Sequence, residues 1–145
     1  MGSFDKPRPR KVAESLYIAA VKQARQPFLY TKFGVPDTFD GRFNMISLHV
    51  FLVLRRLKSN YTRSVKTSQA LFDIMFADMD QSLREKGVGD LRVGKNVKAM
   101  VASFYGRVSA YEIALRNESD VLLIDAIHRN VFSKELSVGI NSKKV

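Results

Sequence analysis

Cysteine and tryptophan are both absent from this chain, and histidine occurs only at His49 and His128. Without cysteine there are no disulfide staples, no thiolate metal ligands and no cysteine nucleophile. Neither histidine has a second histidine or cysteine at metal-ligand spacing, so both read as core or surface residues. Acidic side chains are scarce as well. Fourteen Asp and Glu stand against 24 Lys and Arg, a net charge of +10, which draws the chain to polyanions: nucleic acid, a ribosome surface or anionic lipid. Long apolar runs are missing too. The longest, Met45 to Leu54, is broken by Ser47 and His49 and falls short of the roughly 20 residues a membrane helix needs. The basic N-terminal residues Lys6, Arg8, Arg10 and Lys11 lead into no apolar signal core, and Lys6 stands where the myristoylation pattern requires Ser or Thr.

The 145 residues suffice for one domain that buries about two thirds of its unfolded surface. Of the prolines at 7, 9, 27 and 36, three mark segment edges. Lys11 to Gln26 is built of helix formers and stops before Pro27, giving a first helix. Residues 27–41, PFLYTKFGVPDTFDG, carry four aromatics, with Gly34, Pro36 and Gly41 breaking any period; the expectation there is an irregular loop. Asp40 suits the N-cap of a second helix, Gly41 to Leu57, whose apolar residues point nearly all round. A polar basic link, Arg55 to Lys66, leads to a third helix, Thr67 to Lys86, closed by Gly87. Its apolar sector holds Leu71, Phe72, Met75, Phe76, Met79 and Leu83. Asp78 falls on that apolar side, so it requires a partner or a place at the rim.

The cleanest stripe runs along Val93 to Arg116 through Val93, Val97, Met100, Val101, Phe104, Val108, Tyr111 and Leu115. A last helix follows the Asn-Glu-Ser-Asp cluster and runs from Ser119 or Asp120 to about Phe132. The fold class is therefore all-α: a single helical bundle of five or six helices over residues 11–133, preceded by a flexible basic N-terminus, 1–10, and followed by a weakly patterned tail, 134–145.

Catalytic chemistry finds no home in this pattern. Asp78 and Asp80, two apart on a helix, point about 200° away from each other and share no substrate. The glycines at 87, 89 and 94 lack phosphate-loop spacing and a preceding strand. No nucleophile triad, metal site or cofactor motif remains, and the chain reads as a binding protein, not an enzyme. Arg55, Arg56, Lys58, Arg63 and Lys66 are polyanion-binding candidates, weighed against a plain solvated surface. In the aromatic loop Tyr30, Phe33 and Phe39 are candidates for contact with an apolar partner, weighed against simple pinning of the loop.

Three segments, 33 to 57, 71 to 95 and 100 to 115, carry a more specific likeness. Asp78-Met79-Asp80, Leu83-Arg84-Glu85, Gly87-Val88-Gly89-Asp90, Lys95, Lys98 and Phe104-Tyr105-Gly106-Arg107 together resemble the ubiquinol-cytochrome c chaperone family, over roughly Leu16 to Phe132. The resemblance implies an assembly factor that receives newly made cytochrome b before the respiratory quinol-cytochrome c oxidoreductase is built. It singles out Asp78, Asp80, Arg84, Gly87, Gly89, Asp90, Lys95, Lys98, Tyr105 and Arg107 as family-motif residues. The chain is similar to the compact bacterial members, and lacks the long N-terminal extension of mitochondrial ones, which work beside the ribosome exit with a small partner protein. A ribosome or an anionic membrane surface is then the second partner, at the cytoplasmic, inner face of the bacterial inner membrane. On charge alone the alternative is a basic helical nucleic-acid- or ribosome-binding module, although no helix shows a single-face Lys/Arg stripe.

Overall fold

A computed structural model describes residues 8–132. The order of elements is α1 (Pro9–Ala24), α2 (Pro27–Thr31), α3 (Phe39–Lys58), α4 (Tyr61–Glu85), α5 (Asp90–Arg116) and α6 (Asp120–Ile127), continued by a π turn at His128–Phe132. The protein is all-α, with no strand among the described residues. The tail 134–145 and residues 1–7 of the basic N-terminus lie outside the described residues. Pro9 and Arg10 already belong to α1.

Several helices begin earlier than the apolar period suggests, for local reasons. Helix α3 starts at Phe39 because Thr38, not Asp40, caps it: the Gly41 amide donates to Thr38 Oγ1 at 3.0 Å. Asp40 instead lies in the first turn, where its charge complements the helix dipole. The segment read as a polar link is almost wholly helical. Helix α3 runs to Lys58 and α4 starts at Tyr61, leaving a two-residue turn. The aromatic segment is not irregular throughout, because Pro27, at the first helical position with its φ preset, opens the short α2.

By compactness the described residues fall into two units, 8–22 with 50–101 and 23–49 with 102–132. In the first, Ala13, Tyr17 and Ala20 of α1 are buried, as are Leu71, Met75, Met79 and Leu83 of α4, spaced four apart along one face. Truncating any of these large side chains to alanine is of the kind that costs about 2–5 kcal/mol. Asp78 sits at the edge of that face, half-buried, and accepts a 2.6 Å hydrogen bond from the Tyr17 hydroxyl. The α4 C-terminus closes as a Schellman motif: Gly87 has φ +90°, its amide donates to Arg84 O at 2.9 Å, and the Val88 amide donates to Leu83 O at 3.1 Å.

In the second unit Phe43, Ile46, Phe104, Tyr111, Ala114, Ala126 and Val131 are buried. The α5 stripe faces inward across both units' share of the helix: Val93, Phe104 and Tyr111 are buried and its other members half-buried, none exposed. Ser119 caps α6, accepting from the Leu122 amide at 3.1 Å. The closing π turn brings Val131 onto the buried side with Ala126, five residues earlier, one π turn away.

Candidate functional site

The aromatic segment of the second unit is held by a set of short-range contacts. The Tyr30 hydroxyl donates to Ala24 O at 2.9 Å. Burial first, and then the charge of Asp37, holds that phenol above the ordinary tyrosine value. The Phe33 amide donates to Phe28 O at 3.1 Å, and the Val35 amide to Leu29 O at 3.0 Å, which seats the buried Val35. Arg42 donates to Asp37 Oδ1 from both Nε and Nη2, at 3.0 and 2.8 Å. Gly41 is required by close approach: a Cβ there would lie 1.8 Å from Pro36 O. So the loop is pressed against the first turn of α3, and no other residue fits.

Of the three aromatic candidates, the structure leaves Phe33 most open, 56% exposed. It stacks edge-on against Phe28, ring centroids 5.7 Å apart, and Phe28 is itself 43% exposed. Tyr30 is half-buried and lines a shallow cleft with Arg25, Pro27, Thr31, Asp37 and Arg42. Phe39, half-buried at the start of α3, does not line that cleft. The exposed aromatic feature is thus a Phe28–Phe33 pair rather than a triad.

The five basic candidates gather at the α3–α4 corner of the first unit, and Arg55, Arg56, Lys58, Arg63 and Lys66 are all exposed. Arg56 and Arg63 line one depression with Leu57, Ser59, Asn60 and Ser64. No acidic residue occurs between Asp40 and Asp73, so no carboxylate from this stretch offsets them. Arg55, Arg56 and Lys58 close a helix, where cations suit the dipole. Arg63 and Lys66 do not enjoy this. Arg63 stands in the first turn of α4, which has no acidic residue and whose N-cap, Asn60, makes no side-chain cap bond, an arrangement that costs a few tenths of a kcal/mol, up to about 1, while Lys66 lies one turn further on.

The family-motif residues part into two groups. Arg84 donates from Nε to Asp80 at 2.7 Å and from Nη1 to Asp90, tying the end of α4 to the start of α5 across the Gly87 turn. These hydrogen bonds, that to Asp80 foremost, hold the guanidinium still more firmly protonated than usual. Gly89, Lys95 and Lys98 are exposed. Tyr105 is 56% exposed, its ring 6.0 Å from that of buried Phe104. Arg107 lies over the Phe43 ring, 5.3 Å from its centroid, a cation–π contact. Its Nη1 is buried without a hydrogen bond among the described residues, and burial lowers its pKa against the pull of Tyr111 and Asp40.

One surface escaped the sequence reading. Helix α6 exposes Val121 (76%), Leu122 (42%) and Ile124 (67%) while burying Ala126. The signal was present: six of its eight residues, DVLLIDAI, are apolar all round, and a helix on a protein surface buries only one side of itself.

No helix among the described residues is long and apolar enough to cross a membrane. Residues 31–143 match the family model described as ubiquinol-cytochrome C chaperone. Ubiquinol-cytochrome-c reductase complex assembly factor 1 of Xenopus laevis is 22% identical over 91% of this chain and 66% of its own length. The Homo sapiens protein of that name is 24% identical over 91% of this chain and 44% of its own. The chain thus spans less than two thirds of the curated relatives it matches. Among solved structures, the crystal structure of the Cbp3 homolog from Brucella abortus is similar at 41% identity and a TM-score of 0.75, over 83% of this chain and 67% of that one.

Proposed function

The chain belongs to the ubiquinol-cytochrome C chaperone family, and from that membership we propose that it binds newly made cytochrome b and promotes assembly of the ubiquinol-cytochrome c oxidoreductase, acting by binding alone and at the inner face of the inner membrane. The observation that carries the client contact is the exposed Phe28–Phe33 pair on a segment pinned by Tyr30, Gly41 and the Arg42–Asp37 bond. Rigid aromatic anchors of this kind concentrate binding energy, because little conformational freedom is lost when they are covered. A chaperone delays aggregation of an apolar client and leaves its message untouched. Deleting the gene should therefore lower the assembled oxidoreductase while the cytochrome b transcript stays intact. Phe28→Asp with Phe33→Asp should retain helicity yet fail to recover cytochrome b after crosslinking in the native cell. A folded double variant that captures the client in full rules out the aromatic pair, and normal assembly in the deletion strain rules out the function.

The α3–α4 corner supports a second contact, with a polyanionic surface. Residues 41–72, the stretch that carries its cations, hold no Asp or Glu, and Arg63 in the first turn of α4 works against the helix dipole, a cost that an arriving anion removes. An anionic bilayer is the reading favoured by a membrane-protein client, each nearby cation adding about 1 kcal/mol of attraction. Ribosomes compete with vesicles as the alternative outcome of the same binding assay.

A further inference from the structure

The α6 surface has a charge as well as an apolar face, and the charge is opposite to that of the chain. Around the helix, exposed Val121 and Ile124 lie one turn apart, with exposed Asp120, Asp125 and His128 on the same outward arc. Asp125 is offset by Arg129 at 3.2 Å, and Glu112 by Arg116 at 3.8 Å. Glu118 and Asp120 have no ion pair among the described residues, so the rim of this patch is acidic in a chain of net charge +10.

Glu118 adds an independent sign. It is the only described non-glycine residue at positive φ, +49°. It occupies the left-handed position of a second Schellman corner, where the Ser119 amide donates to Ala114 O and the Glu118 amide to Leu115 O, both at 3.1 Å. At the matching place after α4 the chain uses Gly87. Glycine would adopt this conformation without penalty. Glu118 there brings a carboxylate to the residue just before Ser119, the N-cap of α6, at a backbone cost that glycine would not bear.

We propose that this α6 face, with Glu118 and Asp120 at its rim, docks an apolar helical segment that carries lysine or arginine at its end. That is the chemistry of a membrane span at its positively charged flank. The inference rests on the client being a membrane protein, as proposed above, and gives that client a second contact distinct from the Phe28–Phe33 pair. The apolar face supplies affinity, and the acidic rim selects the end of the segment and its orientation.

The test uses the full chain and two synthetic helices in the same mild detergent. Each has about 20 Leu and Ala residues, one ending in two lysines and its twin in two glutamates. Wild type should prefer the lysine peptide by about two- to tenfold, the range expected of two exposed charge pairs. Glu118→Gln with Asp120→Asn should erase that preference. Val121→Ser with Ile124→Ser should weaken both peptides alike, with unchanged far-UV circular dichroism. Glu118→Gly should raise the melting temperature while blunting the preference, a pairing that a merely structural corner does not produce. Equal affinity of wild type for the twins, or full binding by the serine variant, overturns the proposal. So does a dimer in sedimentation that the serine variant dissociates, because the face would then be covered by a second copy. Failure of the parent reading looks different: the peptide preference persists while cytochrome b is not recovered from cells. Full cytochrome b capture by the serine variant overturns the surface and leaves the chaperone function standing.

Discussion

Tyr17→Phe removes one oxygen from the first unit and tests whether the Asp78 carboxylate is held there by design. The Tyr17 side chain is 6% exposed, and its hydroxyl donates to Asp78 Oδ2 at 2.6 Å across 61 residues of sequence. Phenylalanine keeps the ring, so no large cavity opens. The loss is a hydrogen bond to a charged acceptor, a class worth about 1.5–3 kcal/mol. Asp78 is only half-buried, so water partly replaces the lost donor, and the cost belongs at the lower end, about 1–2 kcal/mol. For a chain of this size that lowers the melting temperature by roughly 3–8 °C. With no tryptophan in the chain, far-UV circular dichroism in a urea titration is the direct readout, and a shift in midpoint at constant slope isolates stability. Asp78→Ala made alone and with Tyr17→Phe completes a double-mutant cycle, for which the expected coupling is about 1 kcal/mol. A Tyr17→Phe change under about 0.3 kcal/mol, or strictly additive variants, would refute the reasoning and make the contact incidental.

Gly41→Ala drives a Cβ to within 1.8 Å of Pro36 O; because the obstacle is backbone, the variant should lose several kcal/mol or fail to fold, read by the same melt. Charge reversal of Arg55, Arg56 and Lys58 should abolish cosedimentation with anionic vesicles at low salt and leave helicity intact, and wild-type binding by the reversed chain contradicts the polyanion reading. Tyr30 and Tyr111 are both held above the ordinary tyrosine value of 10.0, chiefly by burial. Ultraviolet titration of wild type against Tyr30→Phe and Tyr111→Phe should therefore assign each of these two an ionisation above that value. Their stabilising contribution should be whole below about pH 10 and be lost as the pH rises through their higher folded-state values.

The long stripes were legible because burial imposes them. Leu71, Met75, Met79 and Leu83 repeat every four residues, and Val93, Phe104 and Tyr111 share one side of α5. Asp78 was legible for the same reason, since a carboxylate on that stripe needs a donor and Tyr17 supplies it. The helical character of residues 55–66 was hidden, because a solvated helix end made of Arg, Lys, Ser and Asn shows no apolar period. Helix α2 was hidden by its five-residue length, too short for any period to appear. The cap moved from Asp40 to Thr38 because either side chain could accept the amide bond, and the press of Gly41 against Pro36 chose between them. Phe33 was anticipated as a candidate anchor. Its partnership with Phe28 depends on the close of α2, where the Phe33 amide returns to Phe28 O, which no spacing rule supplies.

The clasp of Arg84 on Asp80 and Asp90 bears on the order in which the chain becomes structured. Both partners lie within six residues of the arginine, and the Gly87 turn between them closes on hydrogen bonds only three and five residues long. Very little loop entropy stands against forming this corner, and local contacts of this range arise in microseconds, before pairs as distant as Tyr17 and Asp78 can meet. The α4–α5 corner is thus suited to be an early helical hairpin onto which the rest of the first unit condenses. The chain would then organise from its middle outward, before contacts as long-range as Tyr17 with Asp78 are made.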